Sequence, residues 1–408
     1  MKRKNTAEAG AARPVKLLLF GDSPRARALF PRLVQEADNK DELFLNLAII
    51  RENPAETPDP SHYTVTVHEQ KGDRLLPINC VSAVVDPFAE NDPLEIYAES
   101  AELTHLIFMP RSVSWRLPDG KMKNEKHHPL AQLTFFLFRR FCMEKRGFTC
   151  YYPVMMEENG KALKEEIAEY AALRGLDMDF INWLFLENTF VNCFLDCFTP
   201  ENEIACEGFC QFVLEQPDGL FSGTAAAKTE SDLQTCFFLE KRLKRAALCT
   251  STAYALLHNV ETVHDFMTRQ KLAKHMTVAI YEELIPSLLL NFETVQVYAM
   301  DMINRFVNPS LRVFWKNYAE NAVETYKETI LPSLLLFNHR HERTPKHLVF
   351  SLFCILQLYR LEAVSDRYSG RLKAMTTAQI LADTSLWGED LSFLTEEITA
   401  YEARLEEQ

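Results

Sequence analysis

In the first half of the chain, apolar residues come in short runs separated by amphipathic stretches. The runs are "VKLLLF" (15–20), "LFLNLAII" (43–50), "INCVSAVV" (78–85), "LTHLIFM" (103–109) and "FTCYY" (148–152), and they show little polar alternation. Strands covered on both faces of a parallel sheet read this way. Between and after them, "PRLVQEADN" (31–39), "PLEIYAESAE" (93–102), "LAQLTFFLFRRFCMEKRG" (130–147) and "KALKEEIAEYAALRG" (161–175) carry helical spacing. Alternating strands and helices predict a doubly wound, Rossmann-like α/β domain over residues 15–215. "SHYTVTVHEQKG" (61–72) alternates polar and apolar positions, as an antiparallel addition would.

The texture changes beyond residue 230. "EKRLKRAALCTSTAYALLHN", "LAKHMTVAIYEELIPSLL", "TVQVYAMDMINRFVN", "HLVFSLFCILQLYRLEA" and the tail "DLSFLTEEITAYEARLEEQ" all carry helical patterns. Pro286, Pro309, Pro332 and Pro345 fall where helices should start or stop. The expected architecture is therefore α/β plus all-α, with a helical C-terminal domain over 230–408.

Composition narrows the function. The 408 residues suffice for two cores, and a net charge of −13 gives no basic excess for nucleic acid. No run approaches the ~20 apolar residues of a membrane span. The ten cysteines lie mostly within apolar stretches, with no apolar leader before the first strand. Buried free thiols in a reducing cytoplasm are the expectation. Cys193/Cys197 and Cys206/Cys210 have i, i+4 spacing, but no histidine completes a metal set. Only 12 glycines leave few for phosphate loops.

One stretch has the outline of such a loop. In "FGDSPRAR" (20–27) a strand ends at Gly21, a polar turn follows, and an Arg- and Ala-rich segment opens a helix. A dinucleotide-binding corner and an ordinary βα corner both read this way.

The order of landmarks along the chain resembles the mannitol dehydrogenase family of long-chain polyol and sugar-acid dehydrogenases, within it the tagaturonate reductase branch. The resemblance is carried by "MMEENGKALKEEIAEYA", by "WLFLENTFVNCFLDCFTP" with Asn188, Phe190, Asn192 and Asp196, by "INRFVNPSLRVFWKNYAENAVETYKETILPSLL", and by "TPKHLVFSLFCILQLYR". It implies an NAD-dependent oxidoreductase acting on a keto sugar acid or polyol, with neither nucleic-acid nor membrane partners. The implied cofactor contacts are Gly21, Ser23 and Arg27, the catalytic acid/base is Lys244, and the substrate contacts are Asn192, Asp196, Cys249, Thr252 and Asn321.

Several of these positions depart from the family pattern. Ser23 stands where the family has a second glycine, and Asp22 adds a negative charge beside the expected phosphates. "MPRSVSWRL" (109–117) stands where the family has an Asn-Thr-Thr-Glu segment, with no Asn and no acidic residue, and its Arg111 could hold an anion. Cys249 replaces an Asn, Thr252 a His, Thr325 a Lys and Thr329 an Arg, while Lys327 lies two residues out of register. Cysteine is a weak donor, and threonine cannot change protonation state near neutrality. These replacements imply that NAD binding is weak or lost. Two readings stay open: a reductase with altered helpers, and a catalytically impaired homologue that binds a ligand or a protein. Read from residue types alone, Lys241, Arg242, Lys244 and Arg245 are also a solvated basic helix start.

Overall fold

The computed structural model describes residues 14–41, 46–53, 61–90, 92–113, 115–117, 119–123, 125, 128–216, 220–221 and 230–406. The chain divides into two compact units, residues 1–237 and 238–408. In chain order the first unit carries β1 (Val15–Phe20), α1 (Pro24–Asp41), β2 (Asn46–Ile50), β3 (Tyr63–Glu69), β4 (Gly72–Ile78), β5 (Val81–Val85), α2 (Glu95–Glu99), β6 (His105–Phe108) and α3 (Pro129–Cys142). There follow β7 (Thr149–Tyr151), α4 (Asn159–Leu173), α5 (Met178–Glu187), β8 (Thr189–Val191), β9 (Cys193–Asp196), β10 (Ala205–Glu207), β11 (Gln211–Leu214) and α6 (Glu230–Leu239).

Six of these strands form one sheet in the order β5-β2-β1-β6-β7-β8, with every neighbouring pair parallel. Counted by rank along the chain within that sheet, the order is 3-2-1-4-5-6, that of a dinucleotide-binding Rossmann sheet. Successive residues of each strand enter different cores. Leu17, Leu19, Ile49 and Ile107 pack on one face, and Leu18, Phe20, Ala48, Ile50, Leu106 and Phe108 on the other. Covering both faces is what removes polar alternation from these runs.

The alternating 61–72 segment does pair antiparallel, β3 against β4. It lies in a separate three-stranded sheet, order β10-β3-β4, rather than extending the main one. Buried Arg32 on α1 fastens β10 by donating to the carbonyls of Glu207 and Gly208, both at 2.7 Å. β9 and β11 make an antiparallel pair.

Helix α1 begins at Pro24 and runs through Pro31 rather than starting there. Pro31 has no N–H for the carbonyl of Arg27, and that carbonyl accepts from the Tyr63 hydroxyl instead, at 2.9 Å. The ring of Tyr63 also lies under the Arg27 guanidinium, 4.5 Å from centroid to carbon. One residue from the smaller sheet thus repairs the helix.

The second unit holds a π-helical turn (Glu240–Arg245), α7 (Ala246–Leu257), α8 (Val263–Thr268), α9 (Gln270–Val278), a second π-helical turn (Ala279–Leu284), α10 (Ile285–Ser287) and α11 (Phe292–Phe306). These are followed by α12 (Ala322–Thr329), α13 (Leu331–His341), α14 (Lys346–Arg360), α15 (Ser369–Ala374), α16 (Thr377–Leu381), α17 (Thr384–Trp387) and α18 (Thr395–Glu406). Its described residues contain no strand, only an isolated bridge between Thr262 and Phe314. Pro286 and Pro332 stand in first turns and Pro345 caps α14, as their missing N–H groups favour. Among the described residues no helix is long and apolar enough to cross a membrane. All ten cysteines are free thiols; Cys142, placed by its apolar run in the core, is exposed, and Cys210 is half-buried.

The strand ends of the main sheet meet at one glycine. Gly21 has φ +131°, and a Cβ built on it would lie 2.0 Å from the carbonyl oxygen of Met109. Gly21→Ala is expected to lower unfolding stability by about 2 kcal/mol or more, through strain and backbone clash together. Chemical denaturation checks this; an unchanged midpoint would mean that the two strand ends are not in contact.

Candidate functional site

The carboxyl ends of β1, β2 and β6 lie side by side where the strand order reverses, the place where open α/β sheets bind ligands. Backbone bonds tie them: the Gly21 amide donates to Ile50 O at 3.1 Å, and the Met109 amide to Phe20 O at 2.8 Å. Gly21 therefore makes the tight turn between β1 and α1. Ser23 then caps α1, its hydroxyl accepting from the Ala26 amide at 3.2 Å. Pro24 has no amide to offer, so two of the first-turn donors that would face a phosphate are absent or taken. Arg27 is buried beside Tyr63.

A residue outside the sequence-based set stands in the middle of this corner. Glu52, two residues past β2, is only 8% exposed. Its two carboxylate oxygens accept from the Arg111 amide at 2.8 and 2.9 Å, and the Asp22 amide also donates to it. Burial holds the Glu52 carboxyl above the usual carboxylate range, with the Asp22 charge adding to the rise and the Arg111 bond opposing it. Asp22 itself faces Arg51, 3.7 Å away. The signal for Glu52 was an acid just beyond the second strand, where Rossmann sheets carry a ribose-binding carboxylate.

Asn159 and Asn192 frame the next edge of the sheet. Asn159 is fully buried and bonds both backbone atoms of Cys193, receiving its amide at 3.0 Å and donating to its carbonyl at 2.6 Å. Asn192 accepts from the Gly160 amide at 2.9 Å and donates to Glu215 at 2.8 Å. A Cβ at Gly160 would meet the Val191 carbonyl at 2.7 Å, so α4 starts hard against β8. These asparagines hold the strand-to-helix joint. Asp196 is buried on β9, opposite Gln211 of β11.

In the second unit, Lys244 lies on the first π-helical turn and is 6% exposed, whereas Lys241 is solvated. The solvated-start reading is therefore corrected for Lys244, whose position on the turn rolls it inward. π-helical turns recur at functional sites because they displace side chains from regular register. Cys249 and Thr252 follow on one face of α7, both buried. Burial pushes the Cys249 thiol up to about 12, with the neighbouring Thr329 hydroxyl acting in the opposite direction.

The replacing hydroxyls are spent locally. Thr252 donates to Leu248 O at 2.8 Å and Thr329 to Thr325 O at 2.6 Å, each within its own helix. A hydroxyl has one proton to give, so neither can also donate to a ligand. Asn321 is exposed, in left-handed conformation at the start of α12. It stands about 12 Å of helix rise from Thr329 and so is not brought to Cys249. Lys327 turns toward Gly388, whose Cβ position lies 3.7 Å from its Nζ.

Behind α7 lies a buried polar group that the sequence did not single out. Glu283, on the second π-helical turn, accepts from the amides of His347 and Leu348 and from His347 Nδ1. The His347 ring is 5.2 Å from that of His275, whose Nε2 is 3.5 Å from Thr250 O, next to Cys249. Burial first, then His347, depresses His275 to about 3.

A six-stranded Rossmann sheet and an all-helical unit are shared with solved structures. The chain shares its fold with a Pseudomonas fluorescens mannitol 2-dehydrogenase solved in ternary complex with NAD and D-mannitol (TM-score 0.68, 14% identity, covering 95% of this chain and 90% of that one). It shares it also with a D-sorbitol dehydrogenase in substrate-free form (TM-score 0.76, 15% identity, 94% and 93% covered). In sequence the chain is similar along nearly its whole length to altronate oxidoreductases. That of Bacillus subtilis strain 168 is 25% identical, covering 98% of this chain and 94% of the relative. That of Pectobacterium atrosepticum is 27% identical, with 94% and 86% covered. No family model matches the chain. The resemblance carried by the motifs is thus borne out by both comparisons.

His275 yields a pH test of the brace behind α7. Its folded value of about 3 lies below the unfolded value near 6.5, so the stability it contributes is present above pH 6.5 and is lost as pH falls toward 3. His275→Gln should flatten the stability–pH curve between those limits relative to wild type. Parallel curves from denaturant titrations would contradict a neutral buried imidazole.

Proposed function

We propose that the protein is an NAD-dependent oxidoreductase that reduces a keto sugar acid of the tagaturonate or fructuronate type, or a related polyol precursor. The observation that carries this reading is the buried ammonium of Lys244 on its π-helical turn, in the segment where the resemblance puts the proton donor. The altronate oxidoreductases that it resembles along its length support the substrate class.

The β1–α1 corner fits a dinucleotide in strand order and in the backbone contact at Gly21. Gly21, Ser23 and Arg27 are the residues that would hold the cofactor, which when bound as NADH would supply the hydride and leave as NAD. The protein's own part is protonic. Lys244 holds an N–H toward the substrate carbonyl and gives its proton to the oxygen as negative charge develops there. Preorganised donors around that oxygen ordinarily supply a large share of the rate. Here the hydroxyls of Thr252 and Thr329 point into their own helices and Cys249 is a weak donor. Turnover is therefore expected at least about 10²-fold below that of a site with two such donors in place.

NADH oxidation by the purified protein, with tagaturonate and fructuronate as acceptors, tests this. Slow turnover that Lys244→Ala abolishes and Lys244→Arg does not restore is the expected result. Activity untouched by Lys244→Ala would refute the assigned proton donor. A Thr252→His variant should raise kcat by returning a titratable donor to the α7 face.

A further inference from the structure

The amide donors at the switch point are already occupied by an anion, and that anion is the protein's own. Glu52 spans the crevice from the end of β2 and binds the Arg111 amide at the end of β6 through both oxygens, together with the Asp22 amide in the β1–α1 turn. These amides belong to the two segments, "FGDSPRAR" and "MPRSVSWRL", that flank the crevice. A nearly buried carboxylate is stable there only because charge-assisted bonds replace its water. The groups facing it are the Asp22 carboxylate and the Arg111 guanidinium, while Arg51 faces Asp22.

We propose that Glu52 is an internal stopper of the dinucleotide crevice: its carboxylate holds the place of a ligand's anionic or hydroxyl oxygens, and a nucleotide binds only by displacing it. This rests on the reading of the corner as a nucleotide site. The Arg111 amide, shared between both carboxylate oxygens, and the Asp22 amide must be released before the ligand can use those donors. The apparent affinity falls by the fraction of molecules in which Glu52 is out. The stopper also explains how a corner with an intact glycine contact can bind its cofactor weakly without losing its shape. It acts alongside Ser23, which removes one helix amide, but unlike Ser23 it can swing away.

The test is a fluorescence titration with NADH, and calorimetry with ADP and inorganic pyrophosphate, on wild type, Glu52→Gln, Glu52→Ala and Glu52→Asp. Circular dichroism confirms folding, and the Asp variant keeps the charge while shortening its reach should the others fail to fold. Tightening of NADH by ten-fold or more in the Gln and Ala variants, with Asp between them and wild type, is the expected result. Tight binding by wild type that every substitution weakens would overturn the stopper and make Glu52 a ribose ligand, leaving the NADH reading intact. ADP or pyrophosphate binding gained by the variants, with no NADH binding by any form, would uphold the stopper and sink the cofactor reading. No binding of any probe by any form would overturn both.

Discussion

Between Gly21 and the carbonyl of Met109 there is no room for a Cβ. That single backbone contact draws the ends of β1 and β6 together, and the Gly21 amide on Ile50 O draws in β2. The crevice, its floor and the direction of α1 all follow from this meeting of three strand ends. It is a constraint on one atom, and it requires glycine at position 21 whether or not a ligand lies beside it. Ser23, two residues on, is under no such constraint, and its side chain caps α1.

The same division runs through the rest of the molecule. Residues that resemble the polyol dehydrogenases and are kept here prove to be joints. Asn188 accepts from the Phe148 amide at 2.9 Å, Asn159 closes on both backbone atoms of Cys193, and Asn192 binds the first turn of α4. Positions that have changed are those facing a reacting ligand in the proposed chemistry. Their new side chains satisfy themselves within the protein: Thr252 and Thr329 bond their own helices, and Thr329 meets Cys249. A buried polar group must find a partner, and once a ligand-facing residue is replaced the nearest partner is the backbone. Lys244 keeps its residue type and is buried on a displaced helical turn.

Much of this was legible from pattern. Strands with both faces covered announce themselves as unbroken apolar runs, so β1, β2, β5, β6 and β7 could be placed, and the proline positions of the second unit mark its helix ends. Other elements were not legible, for physical reasons. β8, β9, β10 and β11 are as short as β6 and β7, but polar residues break up the stretches around them, so no apolar run marks them. Pro31 looked like a helix start because nothing local shows that Tyr63, from another sheet, takes over the carbonyl it orphans. π-helical turns leave no mark in residue spacing. Glu52 sits in a loop, and its meaning depends on strand order: only when β2 lies beside β1, and β1 beside β6, does it reach two crevice walls at once.

The central claim is that the crevice over β1, β2 and β6 is a nucleotide site whose donors the protein itself occupies. A crystal structure of the protein grown with NADH tests it most directly. The account predicts a dinucleotide lying across those three strand ends, its backbone contacts made by the Gly21 turn and the Arg111 amide, with the Glu52 carboxylate turned out of the crevice. A dinucleotide bound there while Glu52 keeps its bonds to the Arg111 and Asp22 amides would contradict it, as would one bound anywhere else on the protein.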